Sequence, residues 1–161
     1  MTPPRKRAAH LGVPSEESEQ IKLAQWLDLA KVLWCHVPNG GGRSKREAAR
    51  LKAAGVKAGV PDVLIFSQPP NYWDCFRPLD DMDERLLAAF APDQPRYIGG
   101  QRTSGVAIEL KKPGSTWSAV STVQRIWATN LTGEGWYWFA ARGADEAIAE
   151  LQRIGYRGGR K

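Results

Sequence analysis

The chain has 161 residues, of which 42% are hydrophobic and 25% charged, and this fits one domain with a core or one domain that carries an insertion. It has no run of about 20 apolar residues, no apolar leader segment at its N-terminus, and only two cysteines, without CxxC spacing, which argues against a membrane span, a secretory signal and a zinc or disulfide framework. The expected compartment is therefore the cytoplasm. A net charge of +6 and a pI of about 9.5 favour a polyanionic partner, with nucleic acid first.

The N-terminal part of the chain is predicted to be a basic arm, a helix and a short strand. Residues 1–14 are rich in proline and basic residues, and two interpretations stay open: a solvated tail, or an arm that contacts phosphates. Ser15 is placed to cap a first helix whose first turn is acidic, which suits the positive end of the helix dipole. A strand is expected over residues 33–37.

A second helix is predicted after this strand. Ser44, followed three residues later by Glu47, has the capping-box pattern, and Gly55 is placed to end the helix. The exposed face of this short helix is expected to be basic. The strand that follows, GVPDVLIF at 59–66, is apolar except for an acid near its start.

A long stretch then interrupts the alternation of elements. Residues 67–104 are rich in Pro, Asp, Gly and Gln, and because connections in compact domains are short, they are predicted to be an insertion or a functional flap. The remaining predicted elements are a strand at 105–112, a helix at 119–131 capped by Ser118, a strand at 136–142 and a helix at 144–155 ended by Gly155.

This order of elements predicts an α/β fold in which helices pack on a small mixed sheet. The predicted division of the chain is a flexible basic arm at 1–14, a single domain at 15–156 with the insertion at about 67–104, and a basic tail at 157–161.

Two of the predicted strands carry charge near their ends. Glu109 and Lys111 share one face of their strand, roughly 6.6 Å apart, because side chains alternate along a strand. If the strand after Asp62 is a neighbour, Asp62 and Glu109 can converge on one hard divalent cation such as Mg²⁺, which prefers oxygen ligands. An ammonium group such as that of Lys111 would then stabilise charge on a phosphate beside an activated water. A surface ion pair of Glu109 with a lysine is the alternative.

The chain resembles a family of nucleases in the order of these residues. Pro61-Asp62 followed by Glu109-Leu110-Lys111 is the layout of the PD-(D/E)xK superfamily, and further stretches resemble its VRR-NUC branch. These stretches are HVPNGGGRS at 36–44, RLKAAGVKAGVPDVLIF at 50–66, AIELKKPGSTWS at 107–118 and the helix with Gln124. The resemblance covers about residues 16–155 and implies a restriction-endonuclease-like αβββαβ core.

The resemblance implies roles for particular residues. Those that it assigns to catalysis are Asp62, Glu109, Lys111 and Gln124. Asp62, Glu109 and the backbone carbonyl of Leu110 would bind Mg²⁺ or Mn²⁺. For Asp62 the alternative is a cap at the start of a strand, and for Gln124 an exposed helix amide.

An acidic residue on the first helix is a further candidate ligand. Glu19 matches the family position that would hold the metal or a water, although Glu16 and Glu17 compete for the match. Stabilisation of the helix N-terminus by the negative charge of Glu19 is the alternative interpretation.

The stretch PNGGGRS is predicted to contact phosphates. Its glycines leave backbone amides accessible and basic residues lie beside them, but it lacks the Walker Lys-Ser/Thr pattern, so no nucleotide cofactor is expected. Trp117 is predicted to stack on a base or ribose, with packing against a helix as the alternative. The residues predicted to bind DNA are Asn39, Gly41, Arg43, Ser44, Lys45, Lys112, Trp117 and Ser118.

The resemblance implies a metal-dependent endonuclease that hydrolyses DNA phosphodiester bonds. Stand-alone relatives imply selectivity for branched DNA such as four-way (Holliday) junctions, a role in repair or in phage replication inside a host cytoplasm, and a homodimer with two active sites. A nuclease directed to flaps, nicks or restriction sites is the first alternative. A catalytically inert nucleic-acid-binding module and a basic protein whose insertion binds a partner chain are the others; the intact Asp62, Glu109 and Lys111 favour an enzyme.

Overall fold

The computed structural model describes residues 13–38, 44–71 and 103–158 of the chain. Its elements are, in order, helix α1 (Glu16–Leu29), strand β1 (Trp34–His36), helix α2 (Lys45–Ala53), strand β2 (Val63–Ile65), strand β3 (Gly105–Lys111), a 3₁₀ turn (Trp117–Ala119), helix α3 (Thr122–Gly133), strand β4 (Trp136–Arg142) and helix α4 (Ala144–Arg153). The predicted α/β fold is confirmed. Most of the predicted arm, most of the predicted insertion and the last three residues of the chain lie outside the described residues.

Side-chain caps start three of the helices. The hydroxyl oxygen of Ser15 accepts the N–H of Ser18 at 3.1 Å, and that of Ser44 accepts the N–H of Glu47 at 3.2 Å, which is the serine half of the predicted capping box. Helix α2 ends just before Gly55, which has a φ of +92°. No described helix combines the length and the apolarity that a membrane crossing requires.

The start of α3 corrects the sequence prediction. Ser118 lies in the 3₁₀ turn, and the cap is Ser121, three residues later. The reason is chemical: Ser121 and Gln124 exchange two hydrogen bonds as a complete capping box, which satisfies two backbone donors that Ser118 cannot reach.

The sheet has four strands in the order β1-β2-β3-β4. β1 and β2 are antiparallel, β2 and β3 are antiparallel, and β3 and β4 are parallel. β2 is shorter than the predicted strand at 59–66, because Gly59 has a φ of +79° and Pro61 has no N–H for a ladder.

One face of the sheet carries the apolar core. Alternate residues of the central strands point towards α1 and α4, and the buried cluster comprises Leu23, Leu27, Val63, Ile65, Val106, Ile108, Leu110, Ala141, Ala144, Ala147, Leu151, Ile154 and Tyr156. Gly105 begins β3 where no side chain fits: a Cβ there would lie 2.5 Å from the carbonyl oxygen of Ile65 and 2.6 Å from the ring of Trp136. The opposite face bears Glu109, and α3 reaches it through Gln124.

Candidate active site

Asp62 and Glu109 lie side by side on neighbouring strands. Val63 pairs with Ile108 in the antiparallel ladder. Asp62, one residue before Val63, therefore lies opposite Glu109, one residue after Ile108, on the same face of the sheet. The backbone N–H of Leu110 donates to Oδ2 of Asp62 at 2.8 Å. This bond fixes the Asp62 carboxylate at the end of the sheet where β2 begins.

Glu109 is a buried acid with one committed and one open oxygen. It is 1% exposed, and its Oε1 accepts hydrogen bonds from the ammonium of Lys111 at 2.8 Å and from the amide of Gln124 at 2.5 Å. Oε2 is buried and has no hydrogen-bond partner among the described residues. Burial raises the pKa of the Glu109 carboxyl to about 8; the nearby negative charge of Asp62 adds to the rise, and the ammonium of Lys111 opposes it.

Gln124 is oriented by the helix that carries it. It is the third residue of α3, and its side-chain oxygen accepts the N–H of Ser121 at 2.8 Å within the capping box. This bond leaves the amide NH₂ to donate to Glu109. The same oxygen accepts the ammonium of Lys111 at 3.3 Å, so Glu109, Lys111 and Gln124 form one closed set of hydrogen bonds.

The loop that precedes β2 is docked against α3. A Cβ at Gly59 would lie 2.7 Å from Cγ1 of Val123 and 3.1 Å from the backbone nitrogen of Gln124. The indole N–H of Trp127 donates to the carbonyl oxygen of Ala58 at 2.9 Å. Close backbone approach at Gly59 and this hydrogen bond hold Gln124 beside the segment that leads to Asp62.

Comparison with known proteins identifies the family and the fold of the chain. The model of the VRR-NUC domain family matches residues 14–145. The chain belongs to the VRR-NUC family. A solved structure described as a VRR_NUC domain protein has a TM-score of 0.58 and 23% identity, over 91% of this chain and 92% of that one, and shows that the fold is shared. No curated protein gave a match.

Membership of the VRR-NUC family implies a nuclease-type function and binding to nucleic acid. The donor set of this chain fits a hard divalent cation: two carboxylates from Asp62 and Glu109 lie together, and the buried Oε2 of Glu109 lacks a partner among the described residues. The bond described for Leu110 is made by its N–H, so the role of its carbonyl as a ligand stays a prediction.

Glu19 is placed differently from the two other acids. It is 7% exposed, and its Oε2 accepts the backbone N–H of Ala144 at 2.6 Å at the start of α4, where a negative charge suits the helix dipole. Its described hydrogen bond therefore caps a helix that is remote in sequence. The described residues contain no group of three or more His, Cys, Asp or Glu side chains arranged to hold a metal ion.

The residues predicted to bind DNA fall into two groups. Asn39, Gly41 and Arg43 lie outside the described residues. Ser44, Lys45, Lys112 and Ser118 are exposed and Trp117 is half-buried. The guanidinium of Arg142 lies 5.5 Å from the centre of the Trp117 ring, so at least one face of that ring is engaged within the protein.

Sequence reasoning missed the parts that support the site. The Ser121-x-x-Gln124 pattern is a capping-box signature that the sequence contains, and it would have found the true start of α3. The close approach of Gly59 to α3 and the hydrogen bond from Trp127 to Ala58 join segments that are distant in sequence, so no local pattern predicts them. Arg142 pairs with Lys111 in the parallel ladder, which only the strand order reveals.

Proposed function

We propose that this chain is a metal-dependent endonuclease that hydrolyses DNA phosphodiester bonds, with Mg²⁺ or Mn²⁺ as cofactor. The observation that supports this most is the cross-strand pair of Asp62 and Glu109: Oε1 of Glu109 accepts hydrogen bonds from Lys111 and Gln124, and Oε2 is buried without a partner among the described residues. A divalent cation held by the two carboxylates would supply positive charge to the scissile phosphate and make a water more acidic.

The residues of the chain have separate tasks in this proposal. Asp62 and Glu109 supply negative charge for the cation, and the hydrogen bond from Leu110 keeps Asp62 in place. Lys111 stabilises negative charge that develops on the phosphate, since its ammonium group lies at the same site. Gln124 holds the Glu109 carboxylate and the Lys111 ammonium in one geometry.

The finer part of the proposal is selectivity for branched DNA such as four-way junctions. The basic balance of the chain suits shape-directed contacts with phosphates, and a two-fold homodimer would bring two sites to the two strands of a junction. A nuclease directed to flaps or nicks uses the same chemistry, and the substrate panel below separates it.

The test is cleavage of labelled four-way, flap, nicked and linear duplex DNA of the same sequence, with Mg²⁺, with Mn²⁺ and with EDTA. Wild-type protein is expected to cut the four-way junction fastest, to require the metal and to give paired cuts related by symmetry. Asp62→Asn is the matched control, because asparagine keeps an oxygen acceptor for the N–H of Leu110 and removes only the charge. Equal cleavage by Asp62→Asn and wild type would overturn the proposal.

A further inference from the structure

Helix α2 presents a continuous basic face. Lys45, Arg46, Arg50 and Lys52 all lie in its nine residues, and none of its residues is buried. At 3.6 residues per turn these four cations occupy an arc of about 160°, and the residues between them on that arc are Ala49 and Ala53. The face is thus positive, and between its long cationic side chains it carries only the methyl groups of Ala49 and Ala53.

The charges on this face are not neutralised within the described part of the chain. The ion pairs formed there are Lys22–Asp145, Lys111–Glu109, Arg142–Glu146 and Arg153–Glu150, and none involves α2. The single acid of α2, Glu47, lies on the opposite side of the helix. A helix of nine residues with little packing is marginally stable in water, and like charges four residues apart, as in Arg46 and Arg50, weaken it further.

The position of α2 relates this face to the active site. It lies between the end of β1 and the start of β2, which are antiparallel neighbours, so the connection that contains it is at the Asp62 end of the sheet. His36, the last residue of β1, has Nδ1 2.9 Å from the backbone oxygen of Asp62. The segment from α2 to Asp62 is held to α3 at Ala58 and Gly59.

We propose that α2 is a docking helix for duplex DNA and that its basic face lies along the sugar-phosphate backbone next to the bond that is cut. This inference rests on the proposed function and adds to it Arg46, Arg50 and Lys52 as binding residues. Nine residues span about 13.5 Å, which matches about four base pairs of duplex. Alanines between the cations let the helix backbone approach the phosphates closely, and the phosphates remove the repulsion among the cations.

The test measures how salt affects binding of a fluorescently labelled 30-base-pair linear duplex by the full chain in EDTA, between 50 and 200 mM NaCl. The quadruple change of Lys45, Arg46, Arg50 and Lys52 to glutamine keeps helix propensity and exposed positions. It is expected to reduce the magnitude of the slope of log affinity against log salt by about 3.6, so that the ratio of wild-type to variant affinity falls on the order of 100-fold between 50 and 200 mM NaCl. Exchanging each lysine for arginine and each arginine for lysine at the four positions should leave the slope unchanged.

A matched control removes two charges from the far end of the sheet. Lys31 precedes β1 at the end where Trp34 pairs with Ile65, and Arg157 follows Tyr156, whose hydroxyl donates to the carbonyl of Ser67. Arg46→Gln with Arg50→Gln should reduce the salt slope by about 1.8, whereas Lys31→Gln with Arg157→Gln should leave it near the wild-type value. Equal slopes for these two double variants would overturn the role of α2.

Hydrogen exchange provides an independent readout. Amides of α2 are expected to gain protection when the duplex is added to Asp62→Asn protein, because binding and helix formation are linked. Unchanged hydrogen exchange in α2 on addition of the duplex would contradict the proposal. It would also be contradicted if the quadruple variant lost binding to phosphatidylserine vesicles but kept its binding to the duplex. Failure of the nuclease proposal would give a different result: the wild-type protein would bind the duplex through α2 but would cut none of the DNA substrates when metal is added.

Discussion

Glu109 shares one carboxylate oxygen between Lys111 and Gln124 and buries the other without a partner among the described residues. A buried carboxylate with an unsatisfied oxygen costs free energy unless a cation or a proton neutralises it. The pKa of Glu109 is raised because, in the protein without metal, a bound proton removes the charge that is costly to bury.

Glu109→Gln is therefore expected to stabilise the metal-free protein at alkaline pH. Burial raises the pKa of Glu109 from its ordinary value of 4.5 to about 8, so the folded state keeps a proton that the unfolded state has released. The free energy of unfolding of the wild-type protein therefore falls as pH rises from 4.5 towards 8. The variant has no titrating group at this position, so its free energy of unfolding is expected to fall by about 1 to 3 kcal/mol less. Thermal unfolding in EDTA at pH 5 and pH 8.5 measures the difference. Glu134→Gln, at an exposed position, is the control; an equal pH effect in both variants would contradict the argument.

Lys111→Ala is expected to slow cleavage by about 100- to 1000-fold, the usual loss when one stabilising charge is removed from a transition state. Both carboxylates remain, so calorimetry with Mn²⁺ should still detect metal binding. A single-turnover rate equal to that of wild type would remove Lys111 from the chemistry. Loss of metal binding would instead mean that its ammonium mainly holds Glu109 in position.

The shared face of Glu109 and Lys111 was predictable because alternation along a strand is a local rule. The position of Asp62 opposite Glu109 depends in addition on the pairing of β2 with β3, which the sequence alone does not establish. The bond of Glu19 to α4 was not predictable, since it joins residues 125 positions apart and depends on how two helices meet. The open oxygen of Glu109 was equally invisible, because it depends on the burial of a single atom.

Among the elements, α3 decides where the Gln124 amide lies. Three contacts fix it: the capping box at Ser121, the close approach of Gly59 and the hydrogen bond from Trp127 to Ala58. The sequence predicted this helix but not its first residue, because a run of Ser and Thr residues offers several caps and packing selects among them.

Gly59→Ala tests this docking. A methyl group would meet backbone atoms of Val123 and Gln124 at 2.9 and 3.1 Å, so α3 must shift away from the Asp62 segment. Stability is expected to fall by about 2 to 4 kcal/mol, and single-turnover cleavage by at least 10-fold, because Gln124 moves with the helix. Urea unfolding and stopped-time cleavage assays measure both effects.

Gly114→Ala is the matched control for Gly59→Ala. Gly114 has a φ of +80°, close to the +79° of Gly59, but a Cβ there meets no atom within 4 Å. It should cost only the backbone strain, about 1 kcal/mol. Similar losses in the two variants would show that the close approach of Gly59 to α3 contributes nothing.

At the scale of the whole molecule, the four strands of the described sheet pair with one another without a strand from the long stretch between β2 and β3. These strands are antiparallel neighbours, with Ile65 paired to Val106, so a short connection can join them. The α/β class and the element order followed from composition and pattern. The role of residues 67–104 did not, because their composition indicates only a long connection.

Replacement of residues 73–101 by a short Gly/Ser linker is expected to give a folded protein that still cuts DNA in a metal-dependent way, with a free energy of unfolding within about 2 kcal/mol of wild type. Circular dichroism, urea unfolding and the substrate panel measure this. A folded variant without cleavage would assign the removed stretch to substrate binding or to assembly, and an unfolded variant would make it part of the core.

The tight fit of Gly105 has a consequence for how this chain can tolerate insertions and deletions. One residue added or lost between Gly105 and Glu109 would turn the acid towards the apolar cluster between the sheet and helices α1 and α4, and would place Leu110 on the active-site face in its stead. This five-residue segment must therefore keep its length. A glycine with no reactive group thereby sets which side of the sheet the acid faces.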